Sequence, residues 1–165
     1  MQAVEAMPAV LHMVCGKIAA GKSMLTQRLS AEPKTVLISE DVWLARLYPN
    51  EIQAIADYVR CAARLRDTLA PHIESLLAAG VSVVLDFPAN TVANRLWGKS
   101  IYEKAGADHI LHYLDISDGV CKQRLRDRNA AGLHPFNPSN EEFEAITRHF
   151  VPPAPEEGFR VVRYD

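Results

Sequence analysis

The sequence predicts a three-layer α/β/α fold, in which helices cover both faces of a five-stranded parallel sheet. Three observations lead to this prediction. Short apolar runs alternate with helical patterns along the 165 residues, which is typical of βαβ units. Residues 81–87 are almost wholly apolar, as in a strand that is buried on both faces. A glycine-rich turn at 16–23 joins the first strand to the first helix.

Five segments have the composition of strands. The first is a short, mixed apolar run that ends at Gly16, and the second is rich in β-branched residues. Helical patterns separate the segments, so neighbouring strands are expected to run parallel. The predicted strands are 10–15, 35–39, 81–87, 108–114 and 159–164.

The segments between these strands have the periodicity of helices. The predicted helices are 22–31, a short one through 43–48, 51–79, 91–105, 117–130 and a short one at 140–150. The longest carries one apolar stripe, made of Ile52, Ile55, Val59, Ala62, Leu69, Ile73 and Leu76. Pro71 lies inside this pattern and predicts a kink or a division into two helices. Gly80 and Ser117 are the residue types expected at a C-cap and an N-cap.

Composition and charge narrow the class of protein. Hydrophobic residues make up 48% of the chain, charged residues make up 23%, and the net charge is −2. We therefore expect one globular domain over 1–165, without a basic face for nucleic acid. The three separated cysteines, Cys15, Cys61 and Cys121, favour a reducing compartment over a disulfide framework. With no signal-peptide pattern and no apolar stretch near the roughly 18 residues of a membrane span, a soluble cytoplasmic protein is expected. The sequence leaves its oligomeric state open between monomer and dimer.

The strongest functional signal is Gly16-Lys-Ile-Ala-Ala-Gly21-Lys22-Ser23, which matches G-x-x-x-x-G-K-[ST] between a strand and a helix. In such a loop, the backbone N–H groups and the helix N-terminus surround an anion. Lys22 is expected to reach the β- and γ-phosphates of ATP, and the Ser23 hydroxyl to bind Mg²⁺. The predicted nucleotide contacts are Gly16, Lys17, Ile18, Ala19, Ala20, Gly21, Lys22, Ser23 and Met24.

The rest of the sequence restricts the kind of phosphate-loop protein. The D-x-x-G and N-K-x-D motifs of GTPases do not occur, and the chain is too short for the extra lid domain of a large ring ATPase. A small phosphotransferase remains. Asp86 ends an apolar strand, where a carboxylate can hold the Mg²⁺ shell. The alternative is that Asp86 only caps or turns the chain before Pro88.

Glu40 and Asp41 follow the second predicted strand and open a helix. In a kinase this position faces the acceptor, where a carboxylate accepts the hydroxyl proton and directs the oxygen at the γ-phosphate. The alternative is an acidic pair that only interacts favourably with the helix dipole. Both residues are candidates for the base, and the sequence does not choose between them.

A dense basic run comprises Lys122, Arg124, Arg126 and Arg128. Arg124 and Arg128 are four residues apart and share a helix face, so their guanidinium groups are candidates for binding the γ-phosphate. Arg126 points about 160–200° away from that face. The loop that follows contains Gly132, Pro135 and Pro138. Residues 124–140 are therefore predicted to form a small lid, with a solvated charged face as the alternative.

Two further arginines are weaker candidates for substrate contact. Arg66 lies where the apolar stripe of the long helix should continue, so its side chain either faces a cleft or extends past the core to solvent. Arg95 lies on the helix that follows Asp86. His109 and His112 are three residues apart on a predicted strand, which places them on opposite faces and argues against a shared metal.

These residues resemble the small P-loop kinases of the AAA_33 group, which includes the zeta-toxin, chloramphenicol phosphotransferase and polynucleotide kinase types. The resemblance covers nearly the whole chain and rests on 16–23, 39–43, 83–86, 124–129 and 150–159. It implies the P-loop NTPase fold, ATP with Mg²⁺, and an aspartate after the second strand as the base. Glu40 or Asp41 matches that aspartate, depending on the alignment.

One departure from the group concerns the acceptor. Polynucleotide kinases carry an arginine three residues after the base, and counting from Glu40 this chain has Trp43 there. The difference argues against a nucleic-acid substrate. It suggests instead that Trp43 forms an apolar wall for a small organic hydroxyl compound.

Three functions are compatible with the sequence. The first is an ATP-dependent kinase acting on a hydroxyl of a small molecule, such as a metabolite or an antibiotic. The second is a switch or adaptor that binds ATP without transferring phosphate. The third is a toxin-like kinase of a nucleotide sugar. A phosphorylated product separates the second function from the other two.

Overall fold

Five parallel strands form one sheet in the computed structural model, which describes residues 8–132 and 137–165. The strands are β1 (Val10–Gly16), β2 (Thr35–Ser39), β3 (Ser82–Asp86), β4 (Asp108–Leu114) and β5 (Val161–Tyr164), in the spatial order β2-β3-β1-β4-β5. The helices are α1 (Lys22–Ser30), α2 (Glu40–Leu47), α3 (Ile55–Ala78), α4 (Val92–Ala105), α5 (Asp118–Ala131) and α6 (Asn140–Thr147). The predicted α/β fold with a five-stranded parallel sheet is confirmed.

Hydrophobic side chains fill the space on both sides of the sheet. Along β1, Leu11, Met13 and Cys15 pack with residues of α2, α3 and α4. Val14 packs on the opposite face with residues of α1, α5 and α6. Leu11 is 0% exposed, and burying a side chain of this size contributes roughly 1.5–3 kcal/mol. The sheet is therefore the middle of three layers, as predicted.

The parallel register brings the ends of the strands to one edge of the sheet. Ser39 pairs with Asp86 across β2 and β3, and Gly16 pairs with Leu114 across β1 and β4. Because all five strands run in the same direction, the loops that follow them leave the sheet at this edge. The phosphate loop, Glu40 and Asp86 therefore start from neighbouring positions.

Helix α3 departs from the prediction in two ways. Of the two alternatives predicted at Pro71, the division into two helices is wrong, because one helix continues through this residue, and the kink stays a prediction. Pro71 is exposed, so water can satisfy the carbonyl that its missing N–H leaves without a partner. The predicted stripe is also wrong at two of its positions, since Ile55 is 83% exposed and Val59 is 59% exposed. Val59 and Arg66, which continue the stripe by spacing, line a cavity instead of packing on the sheet.

Most other element boundaries agree with the prediction to within a few residues. Strand β5 begins at Val161 rather than at 159, and α6 ends at Thr147 rather than at 150. A 3-10 turn at Pro155–Glu157 and the prolines before it occupy the connection. Pro135 of the predicted lid lies outside the residues that the structure describes. Within 8–132 and 137–165, no helix is both long and apolar enough to span a bilayer.

Three polar side chains form a hydrogen-bonded row across β1, β4 and β5. His12 Nδ1 lies 2.9 Å from His112 Nε2, and His112 Nδ1 lies 2.9 Å from the Tyr164 hydroxyl. Burial lowers the pKa of both histidines, that of His112 to about 4. If both rings were protonated, two N–H donors would face each other, so the contact between the two histidines requires at least one neutral imidazole. His109 instead stacks on Tyr102 on the other face of the sheet, as the spacing predicts.

The histidine row predicts that the protein loses stability as the pH falls below about 6.5. The unfolded chain binds a proton at His112 near that pH, whereas the folded chain does so only near a pKa of about 4. The contribution of neutral His112 to the free energy of unfolding is therefore fully present above about pH 6.5. It is lost progressively as the pH falls from about 6.5 to about 4. Between about pH 7.5 and about pH 5, we expect the free energy of unfolding to fall by about 2 kcal/mol more in the wild type than in His112→Asn.

Urea unfolding at the two pH values measures this difference, with His72→Asn as the control because His72 is exposed on α3. An equal loss of stability in the wild type and in His112→Asn would show that His112 is not the titrating group.

Candidate active site

The phosphate loop between β1 and α1 has a backbone that curves through left-handed conformations. Ala19 has a φ of 61° and Gly21 a φ of 104°, and glycine adopts such angles without strain. A Cβ on Gly16 would lie 3.1 Å from both the Cβ and the carbonyl oxygen of Leu114, so a larger residue at this end of β1 would require its neighbours to shift by a few tenths of an ångström. Gly21 is the N-cap of α1 and offers no side chain to its first N–H groups. Those donors are therefore available to an anion.

Lys22 lies inside the loop rather than in solvent. Its Nζ donates to the carbonyl oxygens of Gly16 and Lys17, at 2.7 Å each. Burial lowers the pKa of this ammonium, and the nearby Asp86 carboxylate opposes that shift. The Lys17 side chain points elsewhere, pairing with Asp118 at 2.6 Å, so it ties the loop to α5. Met24, at the other end of the predicted nucleotide contacts, is 80% exposed.

A cavity of about 190 Å³ opens beside Lys22 at the carboxyl edge of the sheet. Asp86 lines it and accepts a hydrogen bond from Ser39 Oγ at 3.1 Å, while burial raises the pKa of the Asp86 carboxyl. A bound cation would favour its ionised form. Across the described ranges, no group of three or more acidic, histidine or cysteine side chains could hold a metal alone. A magnesium ion here would take the exposed Ser23 hydroxyl, Asp86 and phosphate oxygens as ligands, which is the pattern Mg²⁺ favours.

The two acidic candidates after β2 have different environments. Glu40 is 1% exposed, and its carboxylate accepts hydrogen bonds from the Tyr58 hydroxyl at 2.5 Å and from Arg66 Nη2 at 3.0 Å. Burial and the Glu40 carboxylate raise the pKa of Tyr58, which therefore remains a donor. Asp41 is exposed, lines the cavity beside Lys22 and accepts no hydrogen bond from any residue in the described part of the chain. Glu40 holds α2 against α3, whereas the Asp41 carboxylate is available to a ligand.

Arg124 and Arg128 face the phosphate loop from α5. Both line a cavity of about 550 Å³ together with residues of the loop and the first turn of α1. Arg124 Nη1 donates to the Ala20 carbonyl oxygen at 3.3 Å. Arg126 donates to Gln123 on the exposed side of the same helix. Arg124 and Arg128 therefore share the face that the spacing predicts, and Arg126 lies apart from it.

The prediction that Arg95 contacts substrate is wrong. Its side chain is 0% exposed and donates to the carbonyl oxygens of Ala89 and Val151, at 2.9 Å each. It also donates to both carboxylate oxygens of Glu157, at 2.8 and 3.0 Å. A buried guanidinium needs such partners, and here the fold itself provides them. Arg95 therefore attaches the C-terminal segment to the loop after β3.

Arg66 lines a second cavity, of about 440 Å³, which shares Tyr58 and Pro88 with the cavity beside Lys22. Of the two alternatives for this residue, the cleft is the one observed. Trp43, the predicted apolar wall, is 39% exposed and lines neither cavity, so its contact with an acceptor stays a prediction. The apolar lining of the second cavity comes from Val59, Ala62, Ala63 and Pro88.

Two residues that the sequence analysis does not select belong to the site. Asn90 binds the backbone of Gly16 with both atoms of its amide, and Tyr58 binds Glu40. A polar residue just after the apolar stretch Phe87-Pro-Ala is a signal that could have drawn attention to Asn90. Tyr58 carries no comparable signal, because the buried partner of a tyrosine hydroxyl depends on tertiary packing.

The parallel sheet, the phosphate loop and the carboxylates at its edge define a kinase-like P-loop domain. Residues 11–153 match the AAA_33 family, whose description is AAA domain, and the chain belongs to this family. A search of the curated proteins finds no significant match.

Several kinases of known structure share the fold. A candidate kinase from Chloroflexus aurantiacus aligns over 98% of this chain and 86% of its own, with a TM-score of 0.71 and 22% identity. A sugar kinase from Janibacter aligns over 96% and 86%, with a TM-score of 0.67 and 18% identity. The APS kinase of Mycobacterium tuberculosis, in complex with AMPPNP and APS, aligns over 86% and 97%, with a TM-score of 0.53 and 19% identity. At these identities the comparison establishes the P-loop kinase fold.

Proposed function

We propose that the protein transfers the γ-phosphate of ATP to a hydroxyl group of a small molecule. The observation that carries this proposal is the position of Asp41, whose exposed carboxylate lines the same cavity as Lys22 and Asp86. Phosphoryl transfer needs a group that binds the phosphate and, close to it, a group that accepts the proton of the attacking hydroxyl. Lys22 and Asp41 are suited to these two tasks.

On the nucleotide side, the N–H groups of the phosphate loop bind the β- and γ-phosphates of ATP. Lys22 exchanges its two carbonyl contacts for phosphate oxygens, which offset its charge better than neutral carbonyl groups do. Ser23 and Asp86 would hold Mg²⁺, which would neutralise charge on the transferring group when bound. In this proposal the described residues form a single domain that contains the whole site.

On the acceptor side, Asp41 acts as the general base and Glu40 positions it. Both oxygens of Glu40 are bound, to Tyr58 and to Arg66, so Glu40 is a poor proton acceptor for a substrate. Those bonds fix the first turn of α2. Asp41 is the residue after Glu40 and lies on the same turn. The base is therefore held on a rigid element beside the phosphate.

The cavity of about 440 Å³ next to Tyr58 is the proposed acceptor site. Its volume falls within the roughly 300–1,000 Å³ that is typical of small-molecule sites. Aliphatic and proline side chains form its walls, and Tyr58, Arg66 and Asn94 provide polar groups. The net charge of −2 also disfavours a nucleic-acid acceptor. The sugar kinase and the APS kinase of similar fold are, by their names, kinases of small molecules.

A screen with γ-labelled ATP against pooled hydroxyl metabolites and antibiotics tests the proposal. We expect a labelled organic product that requires both Mg²⁺ and the acceptor. An ATP-binding switch would instead bind nucleotide and hydrolyse it slowly, without any labelled product and without a dependence on Asp41.

The arginines of α5 yield a prediction about the transition state. Arg124→Ala and Arg128→Ala are each expected to lower kcat by about 100-fold and to weaken ATP binding less, because their contacts strengthen as charge develops on the γ-phosphate. Lysine at either position should rescue only in part, since it lacks the guanidinium fork. Arg126→Ala is the matched control and should keep full activity. Steady-state kinetics on the three alanine variants check this, and a loss confined to Arg126→Ala would contradict it.

A further inference from the structure

One side chain binds both backbone polar groups of Gly16, the residue at which β1 becomes the phosphate loop. The Gly16 N–H donates to Asn90 Oδ1 at 3.0 Å, and Asn90 Nδ2 donates to the Gly16 carbonyl oxygen at 3.0 Å. The same carbonyl oxygen accepts from Lys22 Nζ at 2.7 Å. A primary amide offers an acceptor and a donor at once, so it can fix the orientation of a backbone segment.

We propose that Asn90 is a positioning residue for the nucleotide, which holds the start of the phosphate loop in the orientation that binds phosphate. The phosphates bind through backbone N–H groups, whose directions depend on how each peptide is oriented. Before nucleotide binds, Asn90 also keeps the Gly16 carbonyl directed at Lys22, and so helps to hold the ammonium group inside the loop. This inference rests on the proposed function only in taking 16–23 as the nucleotide site.

The C-terminal segment, for its part, binds the backbone of Asn90. Val151 N donates to the Asn90 carbonyl oxygen at 2.8 Å, and the Val151 carbonyl oxygen accepts from Arg95 Nη1 at 2.9 Å. Arg95 also binds the Ala89 carbonyl oxygen, and both of its remaining contacts go to the Glu157 carboxylate. We call the Arg95–Glu157 pair the latch.

The latch joins residues 151–157 to the loop that carries Asn90. It is a buried pair, with side-chain exposures of 0% for Arg95 and 13% for Glu157, so breaking it disturbs the backbone on both sides. The position of the phosphate loop therefore depends on the C-terminal segment through Asn90. By linkage, nucleotide binding must in return favour the docked form of that segment.

Calorimetric titration with MgADP tests the positioning role at a temperature where every variant is folded. Asn90→Ala is expected to weaken binding about tenfold, as one lost pair of hydrogen bonds would. Ser82→Ala is the matched control, because Ser82 Oγ accepts from Val10 N at 3.0 Å at the opposite end of β1. It should lower the stability in a similar way and leave the affinity for MgADP unchanged.

The role of the latch is tested by substituting two adjacent glutamates, one inside the latch and one outside it, and measuring MgADP binding. Glu157→Gln is expected to weaken MgADP binding by about threefold to tenfold, and Glu156→Gln, the exposed neighbour, should not change it. The effects of Asn90→Ala and Glu157→Gln should not add in the double variant, because the latch acts through Asn90. Equal affinities for Glu157→Gln and Glu156→Gln, or full additivity, would overturn the latch.

Amide hydrogen exchange of the peptide that covers 16–22 gives a readout that needs no nucleotide. Exchange should rise in Asn90→Ala and Glu157→Gln but not in Ser82→Ala or Glu156→Gln. Unchanged exchange and unchanged MgADP affinity in Asn90→Ala would overturn the positioning role. If the wild type bound no MgADP while the exchange followed this pattern, the proposed function would fail and the structural link through Asn90 would stand.

Discussion

Asp41→Asn is expected to lower kcat by about 10²–10⁴-fold, while the affinity for MgATP changes by no more than about twofold. Asparagine keeps the size and polarity of the side chain but cannot accept the proton of the attacking hydroxyl. Nucleotide binding is unaffected in this account because Lys22 and the backbone of the phosphate loop carry it. Steady-state kinetics with the acceptor found in the screen and calorimetry with MgAMPPNP measure the two quantities separately.

Glu40→Gln is the matched control for this prediction. Glu40 is 1% exposed and its two partners are Tyr58 and Arg66, so an amide there leaves the arginine with a poor partner. We expect a loss of about 1–3 kcal/mol in the free energy of unfolding and a smaller loss of kcat than in Asp41→Asn. If Glu40→Gln abolished turnover and Asp41→Asn kept it, the two roles would have to be exchanged.

Lys22→Ala is expected to weaken MgATP binding on the order of 100-fold, since a charge-assisted contact to phosphate is lost. The fold should survive, because the Lys22 ammonium binds only two carbonyl oxygens of its own loop. A saturating ligand stabilises the folded state in proportion to the logarithm of its concentration over Kd, so thermal unfolding with and without MgATP reports the effect.

Lys104→Ala on α4 controls for the loss of one exposed positive charge and should keep the full nucleotide-dependent rise in Tm. A rise of equal size in Lys22→Ala would show that 16–23 does not bind the phosphates of ATP.

The parts of the molecule that the sequence predicts well are those that local patterns determine. The spacing of Gly16, Gly21 and Lys22 is complete within eight residues, and the strand and helix around the loop follow from adjacent apolar runs. The shared face of Arg124 and Arg128 likewise follows from helical geometry alone. The fold class, the phosphate loop and the arginine face were therefore accessible from the sequence.

The parts that the sequence does not predict depend on contacts between distant residues. The difference between Glu40 and Asp41 arises from Tyr58 and Arg66, which lie 18 and 26 residues from Glu40. The position of Arg95 on the helix after Asp86 makes it a weaker candidate for substrate contact, but Glu157, 62 residues away, binds it in the interior. No periodicity in one segment reports such pairings.

A single-turnover experiment tests whether the protein transfers the γ-phosphate with Asp41 as the base. The wild type and Asp41→Asn, each in excess over γ-labelled ATP, are mixed with Mg²⁺ and the acceptor pool, and the position of the label is followed over time. Phosphotransfer with Asp41 as base predicts that the wild type moves the label to an organic product while Asp41→Asn leaves it on ATP. Release of the label only as inorganic phosphate, at the same rate in both proteins, would contradict it.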